Sequence, residues 1–434
     1  MTILNESGTP DVLSPLYCVG SLGETLERTL FVVVGTQSEA HATQELLDTL
    51  APANPRTLYL TLEAEKPEPG ALASQLSRAA RKTDRLPMDG RSPDLCLMFV
   101  SRSARLIGVD AAAEARLTER RLGYPVRSIE VGVGGFTTST EDSAARILLG
   151  LCPVESPREE ERPARKGLLG GLWRRREESP PGAARQRPVV LLGSVSRECR
   201  GELAGELERV GVEVAGFVPE ASPQGLPPLT EETVLAPVQP YMVEATRAAE
   251  ERGLEVVRTL FPIGVDGTAR FIREVARAAG HEVNELARAR EWLREFEGLR
   301  NRLRGIRIFL TGDTGLEVPL ARALAGAGAV IVEVGTPRLN RSMLVSELQT
   351  LGSEVDIVEA PEWTRQIERI EESRPDLVIA SPGLYAPLTA RGHLCRLSLD
   401  FLREDVYGYP GARRLLELLV RPLDRADRLA ALEL

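Results

Sequence analysis

Residues 306–334 read IRIFLTGDTGLEVPLARALAGAGAVIVEV, and their order decides the fold. A short apolar run, Ile306–Leu310, ends at the turn Thr311-Gly312-Asp313. A helical stretch continues to about Ala327, and a second β-branched run, Val330–Val334, follows it. Strands covered on both faces read as continuous apolar runs, not alternating ones. Strand, glycine turn, helix and strand together make a βαβ unit.

The same order recurs upstream. Leu30–Val34 (LFVVV) stops at Gly35 and leads into a helical pattern from Glu39 to Leu50. Leu58–Leu62 and Leu95–Val100 are further strand runs. Val189–Leu192 meets Gly193-Ser194, then a helix over Ser196–Val210, then Val214–Phe217, Thr233–Pro237 and Glu255–Arg258. Asp376–Ala380 is the later strand of the last unit, and Asn284–Arg304 reads as one long charged helix. Between Pro153 and Pro188 the text is rich in Pro, Gly, Arg and Glu, with Trp173 and Arg174–Arg176 inside it. Such a stretch lacks a sustained apolar period and reads as a solvated linker. The expected organisation is α/β throughout: a first domain over 1–152, a charged linker over 153–188, a second domain over 189–305 and a third over 306–434. Ligands of open parallel sheets sit beyond the strand C-termini, so each domain should present a crevice there.

Composition narrows the function. The 434 residues are 43% hydrophobic and 27% charged, which suits a soluble globular chain. The net charge of −9 argues against a chain built mainly to bind nucleic acid. No apolar run is long enough to span a bilayer, and the N-terminus lacks a signal-peptide pattern, so a cytoplasmic location is expected. Five scattered cysteines without a CxxC argue against a disulfide framework. Gly312-Asp313-Thr314-Gly315 could seat a phosphate at a helix N-terminus. It lacks the GxGxxG and GxxxxGK[ST] spacings, so a tight turn with Asp313 or Thr314 as helix cap is the expected reading, without ATP or NAD bound by this chain. The three histidines are dispersed, and no HExxH, nucleophile elbow or zinc spacing is present.

Three blocks carry a family resemblance. They are residues 233–276 (TVLAPVQPYMVEATRAAEERGLEVVRTLFPIGVDGTARFIREVA), residues 306–342, and 375–392 (PDLVIASPGLYAPLTARG) with the LSLDFLREDVYGYPGARR tail. In order and spacing they resemble the N subunit of light-independent protochlorophyllide reductase, a nitrogenase-like enzyme. The resemblance implies three Rossmann-like doubly wound domains, as in the nitrogenase molybdenum–iron protein. It also implies an assembly of two N and two B subunits. A separate ATP-hydrolysing iron–sulfur homodimer would deliver electrons through a 4Fe–4S cluster at the N–B interface. These would reduce the double bond between carbons 17 and 18 of protochlorophyllide.

In that family three N-subunit cysteines and one B-subunit carboxylate hold the cluster. Cys18, in LYCVGS, corresponds to the first cysteine. The second belongs to a Gly-x-x-x-Cys-Ala-His pattern. Here the text is Gly35-Thr36-Gln37-Ser38-Glu39-Ala40-His41, with Glu39 in the cysteine's place. Arg102 stands about where the third belongs. A carboxylate can replace a thiolate, whereas a guanidinium has no lone pair to give. Cys18 is thus the expected metal ligand, with Glu39 beside it, and Cys96 would have to move from mid-strand to compensate. Tyr241, Phe261 and Tyr385, near strand C-termini, are the expected walls of a pigment pocket. Competing readings are a cluster-less scaffold or tetrapyrrole binder, and a subunit of chlorophyllide reductase.

Overall fold

The structure, a computed structural model, describes residues 2–8, 18–50, 57–62, 68–82, 93–131, 137–154, 186–352 and 354–432. Most of the expected 153–188 linker, with Trp173 and Arg174–Arg176, lies outside the described residues.

β1 (Ile3–Asn5) is followed by a first sheet of β2 (Thr29–Gly35), β3 (Thr57–Thr61), β4 (Leu95–Val100) and β5 (Val126–Glu130). All four are parallel, in the order β3-β2-β4-β5. β2 and β4 are buried along their whole length, as their unbroken apolar sequences require. The second sheet is β7-β6-β8-β9, from β6 (Val189–Leu192), β7 (Val214–Val218), β8 (Val234–Pro237) and β9 (Glu255–Val256). The third contains β10 (Arg307–Leu310), β11 (Val330–Thr336), β12 (Asp356–Glu359), β13 (Leu377–Ala380) and β14 (Cys395–Leu397). Its order is β1-β12-β11-β10-β13-β14, again parallel throughout. The three expected α/β units are therefore present. The first two reverse direction after the flavodoxin manner, the third after the Rossmann manner.

Two expectations change. The first residues of the chain do not belong to the first domain, because β1 extends the edge of the third sheet, with Ile3 opposite Ile357. Arg369 fastens it there by bonding both Glu6, at 2.7 Å, and Glu333. Asn284–Arg304 is not one helix but two, Leu286–Glu295 and Glu297–Leu303. Phe296 interrupts them because its ring turns into the core, 5.5 Å from Trp292, which itself stacks on Tyr409 at 5.6 Å.

The units share one apolar core that draws on all three sheets. The C-terminal helix Gly408–Ala430 returns from the third unit to pack on helix Gly264–Ala278 of the second. Arg322 is buried at this junction. Its Nε meets Glu347 at 2.8 Å and its Nη1 meets Asp266 at 2.7 Å. Burying a cation is costly unless it is paired and hydrogen-bonded, which both carboxylates provide.

Candidate functional site

The strand order of the first sheet reverses between β2 and β4, and a ligand crevice belongs at that point. The two strands end in Gly35 and Val100, followed by Thr36 and Ser101. Helix Gln37–Leu50 starts after the first turn and helix Arg102–Leu106 after the second. Thr36 and Glu39 form a reciprocal capping box: the Glu39 amide donates to Thr36 Oγ1 at 3.3 Å, and the Thr36 amide donates to Glu39 Oε2 at 2.8 Å. The Glu39 carboxylate then crosses to the other turn. Ser101 Oγ donates to Oε2 at 2.8 Å and Ser103 Oγ donates to Oε1 at 2.8 Å, while Thr36 Oγ1 adds a bond of 3.1 Å. Ser101 Oγ in turn accepts the Ala104 amide at 3.1 Å, capping the second helix. Burial raises the Glu39 pKa, but the Thr36 amide and the Ser101, Ser103 and Thr36 hydroxyls outweigh it and hold the carboxyl below its ordinary value. The glycine at the end of β2 leaves the space, since a Cβ on Gly35 would stand 2.7 Å from Glu39 Oε2 and 3.1 Å from Ser101 Oγ.

The other two reversal points are closed in the same way. In the third sheet, Glu317 Oε1 accepts the amides of Asp313, Thr314 and Gly315 at 3.0, 2.6 and 3.0 Å, and the Thr314 hydroxyl at 2.8 Å. The expected cap is therefore corrected. Neither Asp313 nor Thr314 caps this helix from its N-cap position; a carboxylate from the helix's own first turn fills the amide nest where a phosphate could bind. Gly312, at φ +82, permits the turn against the Gly335 backbone. In the second sheet, Gln239 Oε1 accepts the Ser194 amide at 2.9 Å and its Nε2 donates to the Ser194 carbonyl at 3.1 Å. Each crevice thus contains a polar side chain of this chain.

Behind the second crevice lie Glu141 and Asp142 of helix Thr137–Leu151, both buried. Burial raises Glu141 to about 7, against the lowering effect of Ser194 and Tyr241, and Asp142 adds repulsion. Burial also raises Asp142 to about 7, although it accepts the amides of Glu244 and Ala245 at 2.7 and 2.9 Å.

Comparison with known proteins places this architecture. Residues 88–424 match the family model of nitrogenase component 1 type oxidoreductases. The chain is similar to the light-independent protochlorophyllide reductase subunit N of Roseiflexus sp. (strain RS-1), with 34% identity over 99% of this chain and 95% of the relative. It is also similar to the subunit N of Heliobacterium modesticaldum, with 32% identity over 97% and 95%.

The chain belongs to the nitrogenase component 1 type oxidoreductases, in the light-independent protochlorophyllide reductase subunit N family.

Subunit N of Chlorobium luteolum is 30% identical over 99% of this chain and 95% of its own length. Among solved structures, a chain described as "Nitrogenase Cp1 at pH 6.5" superposes with a TM-score of 0.69 at 15% identity. That match covers 97% of this chain and 94% of the other, so the whole fold is that of a nitrogenase component 1 chain.

Nitrogenase-like membership implies iron–sulfur chemistry, and the donors at the expected cluster corner do not fit it. Thiolates suit iron–sulfur clusters because they are soft and anionic. Around the β2 and β4 turns stand a carboxylate engaged by four donors, two neutral serine hydroxyls and the exposed Arg102. Cys96 does not compensate: it is buried near the start of β4, away from the strand's C-terminal end, among Leu30, Met98 and Val126, and burial pushes its thiol pKa up. Cys18 opens helix Cys18–Thr25, and its side chain lies outside the described residues. Among the described residues no group of three or more His, Cys, Asp or Glu is placed to hold a metal ion.

The three expected pocket aromatics do not meet. Tyr241 and Phe261 are core residues, 5% and 3% exposed. Their expected place on an open pigment wall is corrected, because their rings pack into the shared apolar core. Tyr385 is exposed beside a cavity of about 460 Å³ with His393, Cys395 and Arg421. A larger cavity of about 750 Å³ has Val265, Leu293, Phe296 and Leu415 in its apolar wall and includes none of the three. Sequence reading also missed Thr36, Ser101 and Ser103. One signal was available: Thr36-x-x-Glu39 has the spacing of a capping box.

Proposed function

We propose that this chain serves as the N-type subunit of an ATP-dependent protochlorophyllide reductase in chlorophyll or bacteriochlorophyll synthesis. It pairs with a B-like sister subunit in a heterotetramer and presents a docking face to an ATP-hydrolysing iron–sulfur homodimer, in the cytoplasm. The observation that carries this reading is the similarity, at 30–34% identity over nearly the whole chain, to subunits N from several bacterial lineages. Two structural features are consistent with it. The strand-end nests that could take a nucleotide phosphate are occupied by Glu317 and Gln239, which suits an enzyme whose ATP is handled by a partner. No helix among the described residues is long and apolar enough to cross a membrane.

The test is turnover in the dark. The chain is purified with its B-like partner without oxygen, then supplied with the ATPase dimer, ATP, a reductant and protochlorophyllide. Formation of the reduced pigment supports the reading. Reduction of chlorophyllide in place of protochlorophyllide moves the chain to the neighbouring reaction of the same class. Assembly with the partner but no reduction of either pigment contradicts the enzymatic role.

A second reading is favoured by the Glu39–Ser101–Ser103 corner: a nitrogenase-like scaffold or tetrapyrrole binder that assembles without a cluster of its own. Pigment binding without turnover distinguishes it.

A further inference from the structure

We propose that the carboxylate–hydroxyl network of Glu39 replaces a metal cross-link at the first sheet's reversal point, so that this chain contributes no iron ligand from its β2 and β4 turns. The inference rests on the family reading above, which supplies the expectation of a cluster.

A metal cluster held by two turns does two jobs: it carries electrons and it ties the turns together. Glu39 does the second without metal. It belongs to the turn after β2, and its bonds to Ser101 and Ser103 reach residues 62 and 64 positions later, after β4. Between those strand ends the tie is direct, with both carboxylate oxygens engaged on the second turn.

The network is densest at one carboxylate oxygen. Oε2 accepts three bonds and Oε1 one, and Ser101 Oγ accepts a further amide while donating to Glu39. Binding iron through Oε2 would displace the Thr36 amide or a hydroxyl and leave a part-buried donor without its partner. Arg102, at the place of the third thiolate, begins a helix whose cap is Ser101, so its backbone is fixed while its cationic side chain is exposed. A guanidinium there offers iron no lone pair.

Glu317 provides an independent control inside the same molecule. It makes the same kind of closure in the third sheet, where four donors converge on one of its oxygens. The chain thus uses a first-turn glutamate to close a strand-end nest at two separate places, which is a folding device and not a ligand set.

The test measures iron and thermal stability, not turnover, so it is separable from the reductase assay. Wild type, Glu39→Gln and Glu39→Ala are each purified anaerobically with the B-like partner. Iron per heterodimer is measured, and melting is followed with and without a strong iron chelator. The proposal expects the same iron content in all three, whatever its absolute level, and no chelator-induced shift in the melting of the N-type chain. It expects Glu39→Ala to melt several degrees below wild type. Loss of half or more of the iron in Glu39→Gln, with the fold retained, overturns it. So does a wild-type chain whose melting falls on chelation. If Glu39→Ala does not fold, Glu39→Gln and the wild-type chelation experiment decide.

Discussion

Ser103 Oγ donates to Glu39 Oε1 across 2.8 Å, joining two turns that are 64 residues apart in the chain. With the Ser101 bond to the other oxygen it fixes the distance between the ends of β2 and β4. The room for it comes from a missing side chain at the end of β2.

Gly35→Ala is therefore expected to destabilise the first unit. Its Cβ would stand 2.7 Å from Glu39 Oε2, and the carboxylate cannot retreat without losing its serine bonds. Overpacking of this kind costs about 1–3 kcal/mol. Urea unfolding of the full chain checks it; an unchanged midpoint would show that the carboxylate is not held as described.

The junction of the second and third units depends on Arg322. Removing Glu347 by Glu347→Ala leaves a buried guanidinium with half its pairing, and the Phe261 amide loses its acceptor at 2.8 Å. Breaking such a pair costs about 3–5 kcal/mol. Replacing Arg322 and Glu347 together by Met and Leu is expected to recover much of that loss. A double variant as unstable as the single one would show that the pair itself stabilises the junction.

Stability should also depend on pH through Glu141. Its pKa is raised to about 7 in the folded chain, above the usual carboxyl value of 4.5, because the group is buried. A raised acid pKa means that the folded state holds the proton more tightly than the unfolded one. Its contribution to stability therefore falls as pH rises from about 4.5 to about 7, and the penalty is complete above that. Glu141→Gln removes the titration. Relative to wild type, the variant should gain stability between pH 5 and pH 8, measured by melting at both values. A difference that does not change with pH would show that Glu141 stays ionised in the folded protein.

Glu317→Ala should behave as the third-sheet counterpart of Glu39→Ala. It leaves the amides of Asp313, Thr314 and Gly315 without their acceptor in a buried turn. Unsatisfied buried donors cost about 1–3 kcal/mol each, and water entering the nest would recover part of it. Inorganic phosphate is expected to raise the melting temperature of this variant and not of wild type. No phosphate effect on the variant would show that the nest collapses once the carboxylate is gone.

The strands were legible where burial on both faces made them continuous apolar runs. Leu30–Val34, Leu95–Val100 and Ile306–Leu310 all lie within the observed β2, β4 and β10 or begin one residue early. β1 was not legible, because ILN is only three residues long and largely exposed, and its partner Ile357 is at the far end of the chain. The break at Phe296 was hidden for a related reason: a charged 3.6-residue period continues through it, and only Trp292 and Tyr409 reveal why the ring turns inward. At the candidate site, sequence placed Glu39 and Arg102 at the departures from the family pattern. The serines that engage Glu39 come from another strand end, and no local spacing links them. Tyr241 and Phe261 were misplaced because proximity to a strand end says nothing about which way a ring packs.

The most direct measurement is an iron-edge anomalous map of the anaerobic complex of this chain with its B-like partner. The account predicts the Glu39 carboxylate within hydrogen-bond distance of Ser101 and Ser103, with no iron within bonding distance of it, about 2.0–2.2 Å for a carboxylate oxygen on a metal of this kind. An iron peak bonded to Glu39, with the serine bonds broken, would contradict it.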